Sequence, residues 1–129
     1  ATAGSAGMDL CANVPEVTEL APGETLRVPT GLAIALPDAE HVALVCARSG
    51  LAIRHGITLA NGVGVIDSDY RGEIKVALLN HGKEPQTLEK GERIAQMVVA
   101  PYLSVTYEET DELSDTERGE GGFGSTGRK

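Results

Sequence analysis

NGVGVIDSDYRGEIKVALLN, residues 61–80, is the stretch on which the reading of the fold turns. Asn61-Gly62 is a turn pair, because Asn tolerates and Gly freely adopts a positive φ. Residues 74–80 form an apolar run, and Asp67, Asp69, Arg71 and Glu73 crowd the turn before it. Apolar runs joined by a charged turn describe neighbouring strands rather than a helix. The same grammar extends outward from residue 24 to residue 107. Strands are expected at 25–28, 32–36, 41–46, 57–59, 74–80, 86–88, 94–100 and 104–107, punctuated by Pro22-Gly23, Pro37-Asp38, His81-Gly82 and Lys90-Gly91. No long window has helical periodicity, although 49–54 can form a short helix or turn. This spacing predicts an all-β sandwich or barrel. Residues 42–45 and 76–79 are apolar on both faces, which implies a sandwich interior or strands covered by another subunit.

At 129 residues the chain has room for one domain of ordinary size. With no Trp, one Phe and three Tyr, its core must be aliphatic. Eleven Lys and Arg among 19 acids leave a net charge of −8, which argues against a nucleic-acid polymer as partner. A single nucleotide is different, since a few local Arg residues and a metal cation can hold one triphosphate. Cys11 and Cys46 lack a CxxC spacing and fit reduced thiols in a cytoplasmic protein, with a disulfide between them left open but not required. No apolar run approaches the roughly 18 residues of a membrane span. The chain opens at Ala1 without an initiator Met, which leaves room for a preceding piece.

Beyond Tyr107 the composition changes. Residues 108–117 are acidic, and RGEGGFGSTG (118–127) combines glycines, hydroxyls, a lone aromatic and an Arg. Backbone N–H groups at Gly119, Gly121, Gly122 and Gly124 can converge on anionic oxygens, Ser125 and Thr126 add hydroxyl donors, and Arg118 adds charge-assisted bonds. Phe123 can lie on a base. On composition alone a disordered tail explains this stretch equally well. It is not a Walker loop, because GK[ST] and its helix are absent. In VIDSDYRGEI (65–74) a carboxylate close to a bound water can serve as general base, and the flat ring of Tyr70 suits packing on a sugar. Charged turn clusters are more often merely solvated. ARSGLA (47–52) places Arg48, Ser49 and Gly50 at a strand end, a weak phosphate grip by itself. Asp9 can pair with a basic group, and Gln96 can be an outward strand residue. The three His have no metal-ligand spacing, and no GxSxG motif is present.

Five pieces in this order, SAGMDLCA (5–12), ARSGLA (47–52), NGVGVIDSDYRGEI (61–74), GERIAQM (91–97) and RGEGGFGSTG (118–127), resemble the five motifs of the homotrimeric dUTPases. The resemblance runs from near residue 1 to the C-terminus. It implies a jelly-roll-like distorted β-barrel over 1–107 and an arm over 108–129, with each site assembled from three subunits of a homotrimer. It further implies hydrolysis of dUTP to dUMP and pyrophosphate, which limits uracil in DNA and supplies dUMP for dTMP synthesis.

Carried over by position, Asp67 resembles the general base that activates water for attack on the α-phosphorus. Asn61, Gly62 and the hairpin resemble the uracil reader, Tyr70 the residue packing on deoxyribose, and Phe123 the aromatic lid. Arg48, Ser49, Gly50 and Gln96, with Arg118, Gly121, Gly122, Ser125 and Thr126, resemble the phosphate contacts. The resemblance implies Mg2+ held mainly by triphosphate and water, with Asp9 as indirect support and no direct protein ligand. Ala47 departs from the family's Pro, which should alter turn rigidity more than chemistry, and the edge-strand segment that precedes the first motif is not in this sequence. A dCTP deaminase of related fold would carry a Glu where Ala77 stands. A non-catalytic nucleotide sensor would have no need of Asp67.

Overall fold

The computed structural model describes residues 2–125 and 127 of the chain. Its strands are β1 (Met8–Cys11), β2 (Thr18–Leu20), β3 (Thr25–Pro29), β4 (His41–Cys46), β5 (Ile57–Leu59), β6 (Gly64–Ile66), β7 (Lys75–Asn80), β8 (Gln86–Leu88) and β9 (Arg93–Pro101). A helix, α1 (Ser49–His55), lies between β4 and β5. The strands form three antiparallel sheets with the orders β1-β9-β4-β6, β2-β8 and β3-β7-β5. This is an all-β, jelly-roll-like architecture.

The core is aliphatic, as the shortage of aromatics requires. Leu10, Leu20, Val28, Val76, Leu78, Leu88 and Ile94 are each at most 2% exposed, and burying a side chain of this kind contributes about 1.5–3 kcal/mol. One polar residue lies among them. Asn80 is fully buried, and its amide donates to the carbonyls of Leu20 (3.0 Å) and Glu84 (2.8 Å) while its oxygen accepts from Gly82 N–H (2.9 Å). With those groups satisfied, it ties the end of β7 to β2 and to the turn before β8.

The apolar faces foreseen at 42–45 and 76–79 resolve into alternation. Ala43 and Val45 point into the core, and so do Val76 and Leu78. On the outer face of the four-stranded sheet, Leu44 pairs with Val98 on one side and Val65 on the other, and Val42 pairs with Ala100. Val65 is 65% exposed, so this face is apolar and uncovered in a single chain.

Two expected strands do not form. Residues 32–36 run extended with Ile34 and Leu36 packed on the core, but they enter no ladder. Residues 104–107 lie beyond β9, with Val105 75% and Tyr107 100% exposed. An apolar run becomes a strand only where an edge receives its backbone, and the described residues offer these two none. Regular structure ends at Pro101, after which Tyr102 N–H donates to the Glu40 carbonyl (2.9 Å). The turn leading to β4 is closed by Asp38, which accepts from Glu40 N–H (2.8 Å) and meets His41 Nδ1 at 2.7 Å. The His41 hydrogen bond, then the Glu40 amide, hold the Asp38 carboxyl below the ordinary carboxylate range.

Candidate active site

Between β5 and β6 the chain passes from one sheet to another through the Asn61-Gly62 turn. Gly62 has φ 72 and donates its N–H to the Leu59 carbonyl (3.1 Å), and Val63 N–H donates to the Asn61 carbonyl (2.8 Å). β5 and β6 are edges of different sheets, so the chain leaves a gap between them. The gap is a cavity of about 220 Å³. Asn61, Asp67 and Tyr70 line it, together with Glu73, Ala77 and Val45. Gly62 stands at the turn apex outside that lining.

The turn carrying the acids is held by its own groups. Tyr70 N–H donates to the Asp67 carbonyl (3.1 Å), and Arg71 Nη1 donates to the carbonyls of Ser68 (2.8 Å) and Tyr70 (3.1 Å). The segment after it is tied to the loop that follows β3. Thr30 Oγ1 donates to the Ile74 carbonyl (2.7 Å), Ile74 N–H to the Leu32 carbonyl (2.8 Å), and Gly31 N–H to Glu73 Oε1 (2.9 Å). Glu73 is therefore an anchor of the loop rather than a spare carboxylate. Among the described residues no side chain pairs with the Asp67 carboxylate, which stays exposed at the cavity mouth. That leaves its oxygens available to a water.

A second group of expected site residues gathers where β1, β9 and the end of β4 meet. Arg48 is the extended N-cap of α1. Its Nε lies 3.3 Å from Asp9 Oδ1, and its Nη1 donates to the Arg93 carbonyl (3.0 Å). Arg93 Nη1 meets the other oxygen, Asp9 Oδ2, at 3.4 Å. Asp9 thus holds the two guanidinium groups side by side. A guanidinium has five N–H donors, so these contacts leave Arg48 able to take an anion as well. Gln96 donates Nε2 to the Ala47 carbonyl (3.0 Å), fixing the approach to Arg48, and its amide oxygen lies against Gly7. Ser49 and Gly50 are exposed on the first turn of α1. None of these residues lines the Asp67 cavity of the same chain.

The third group is in the arm. Arg118 Nε donates to the Gly121 carbonyl (2.8 Å), Gly121 N–H to the Arg118 carbonyl (3.1 Å), and Ser125 N–H to the Gly122 carbonyl (3.0 Å). Phe123 takes the left-handed φ of 45 and is fully exposed. Thr126 lies outside the described residues.

Among the described residues no group of three or more His, Cys, Asp or Glu is placed to hold a metal ion. Ala77 forms part of the cavity wall and supplies no carboxylate where a deaminase would need one. Reading the sequence singled out neither the Glu73–Gly31 tie nor the wall formed by Val45 and Ala77. The signal for the tie is only the place of Glu73 beside the motif.

The family model described as dUTPase matches residues 1–127. The deoxyuridine 5'-triphosphate nucleotidohydrolase of Rickettsia felis is 56% identical over 98% of this chain and 85% of its own length. That of Desulfitobacterium hafniense is 55% identical over 98% and 84%. Among solved structures, the Staphylococcus bacteriophage 80alpha dUTPase with dUPNHPP superposes with a TM-score of 0.88 at 27% identity, covering 98% of this chain and 89% of that one.

Proposed function

The chain belongs to the dUTPase family, and on that premise we propose that it hydrolyses dUTP to dUMP and pyrophosphate with Asp67 as the general base. The observation that carries this assignment is the single cavity lined at once by Asn61, Asp67 and Tyr70. Asp67 takes a proton from a water as the water oxygen bonds to the α-phosphorus. The bond from that phosphorus to the bridging oxygen breaks, and pyrophosphate leaves with the electron pair. The Asn61-Gly62 turn, which joins two strands that do not pair with each other rather than closing the expected hairpin, reads the base through backbone donors and acceptors, a pattern that cytosine does not match. Tyr70 packs on deoxyribose. Arg48, Ser49, Gly50 and Gln96 hold phosphates, with Arg118, Gly121, Gly122, Ser125 and Thr126 joining from the arm, where Phe123 covers the base. A magnesium ion would be held mainly by phosphate oxygens and water, with Asp9 as indirect support, and would supply positive charge against the triphosphate.

The chain acts as a homotrimer in which residues 1–107 form the barrel and 108–129 an arm that reaches a neighbour's site. Two observations support this reading. The outer face around Leu44, Val65 and Val98 is apolar and uncovered, and the Arg48 group lies off the Asp67 cavity of its own chain. A cytoplasmic location is in keeping with the free Cys11 and Cys46, and no helix among the described residues is long and apolar enough to cross a membrane. The test is pyrophosphate release from dUTP, dTTP, dCTP and UTP, each with and without magnesium. Release from dUTP alone, dependent on the metal, is the expected result; equal release from dCTP or UTP would overturn the assignment.

A further inference from the structure

We propose that Gly72 is a specificity-determining positioning residue: its missing Cβ is the seat on which the Tyr70 ring rests, and the ring's place on that seat excludes a ribonucleotide. This rests on the reading of Tyr70 as the residue that packs on the sugar.

The Tyr70 ring folds back over its own turn, and its hydroxyl donates to the Glu73 carbonyl (3.0 Å). The ring thereby crosses Gly72. A Cβ built on Gly72 would stand 2.6 Å from Tyr70 Cζ and 3.0 Å from Cε2. Carbon atoms make favourable contact at about 3.5–4.0 Å, so an Ala side chain and this ring position exclude each other.

Either the backbone or the ring must yield, and the hydrogen bonds decide which. Residues 73 and 74 are fixed from three sides by Gly31 N–H on Glu73 Oε1, Thr30 Oγ1 on the Ile74 carbonyl and Ile74 N–H on the Leu32 carbonyl. Ile74 is 3% exposed and belongs to the core. Tyr70 is 45% exposed and is held at its tip by one hydrogen bond. The ring yields. Gly72 does not have the positive φ seen at Gly62 or Gly31, so its backbone accepts a Cβ without strain. The cost of the substitution therefore falls on ring placement and not on the fold. Because Tyr70 also lines the cavity that holds Asn61 and Asp67, a lifted ring changes the shape presented at the sugar while leaving the base reader and the carboxylate in place.

The test compares kcat/KM for dUTP and UTP in the wild type, Gly72→Ala, Tyr70→Ala and the double variant, with Tm measured for each. Gly72→Ala is expected to keep the wild-type Tm and to lose about tenfold or more of the preference for dUTP, the scale on which a small misplacement acts. Its effect on that preference should vanish in the Tyr70→Ala background, where there is no ring to displace. If Tyr70→Ala loses the preference but Gly72→Ala keeps it, the seat is refuted and the sugar reading stands. If Tyr70→Ala itself keeps the preference, the sugar reading falls and the seat falls with it. An equal effect of Gly72→Ala in both backgrounds also refutes the seat, since the glycine would then act without the ring.

Discussion

In the β6–β7 connection that carries Asp67, each proposed site side chain sits within a few residues of a buried anchor. Ile74 and Val76 are fixed in the core, and Glu73, Tyr70 and Arg71 are tied to backbone groups around them. In the arm, by contrast, no residue from 108 to 125 is buried, and among the described residues Arg118 hydrogen-bonds only within its own loop. The difference assigns a separate energy source to each region. The connection is organised by folding itself, so its geometry is present before substrate arrives. Ordering the arm costs about 1–2 kcal/mol per backbone residue, which in the proposed trimer contacts with substrate and neighbouring subunits would offset. Barrel substitutions should therefore register in stability, and arm substitutions in catalysis alone.

Asp67→Asn breaks that comparison most sharply, because the residue sits on the ordered β6–β7 connection and yet has no side-chain partner among the described residues. It should lower kcat for dUTP by roughly 10²–10⁴, the range for loss of a general base, with Tm and nucleotide affinity retained. Leu78→Ala samples the barrel proper. Leu78 is fully buried in β7, and its truncation should cost about 2–5 kcal/mol in chemical denaturation. Arg118→Ala samples the arm, and loss of its charge-assisted bonds should cost about 1.5–3 kcal/mol in kcat/KM with Tm unchanged. A fall in Tm for Arg118→Ala would show that the arm is part of the folded body.

The smallest effect is expected at Asp38, in the turn that Tyr102 meets just past the end of β9. Its pKa is lowered in the folded state, so its contribution to stability is present above the unfolded carboxylate pKa. That contribution is lost as pH falls through the folded value. Asp38→Asn should therefore give a slightly lower Tm than wild type near neutral pH, with the gap closing in acid. A gap that widens in acid would have the wrong sign.

The barrel was legible where a run of apolar residues also had a partner. The expected strands 41–46, 57–59 and 86–88 coincide with β4, β5 and β8; 25–28 and 74–80 differ from β3 and β7 by one residue at one end, and 94–100 from β9 by one residue at each end. β1, β2 and β6 were not foreseen. They are three or four residues long, and β6 begins with a Gly; pairing with β9, β8 and β4, rather than propensity, makes them strands. Residues 32–36 and 104–107 show the converse, apolar runs with no edge to join. At the site, Asp67, Asn61 and Tyr70 were readable because one short stretch contains them all. Nothing local in the chain records how Arg48 and the arm would reach that stretch, because in the proposed trimer they would come from other copies of the chain.

The central claim is that Asp67 and the arm acting on one substrate come from different copies of the chain. Asp67→Asn and Arg118→Ala subunits, each inactive or weak alone, can be refolded together in equal amounts and assayed for pyrophosphate release from dUTP. Shared sites predict recovery of about a quarter of the wild-type rate, because random trimers then contain sites with both residues intact. A mixture no more active than the average of its two parents would contradict the account.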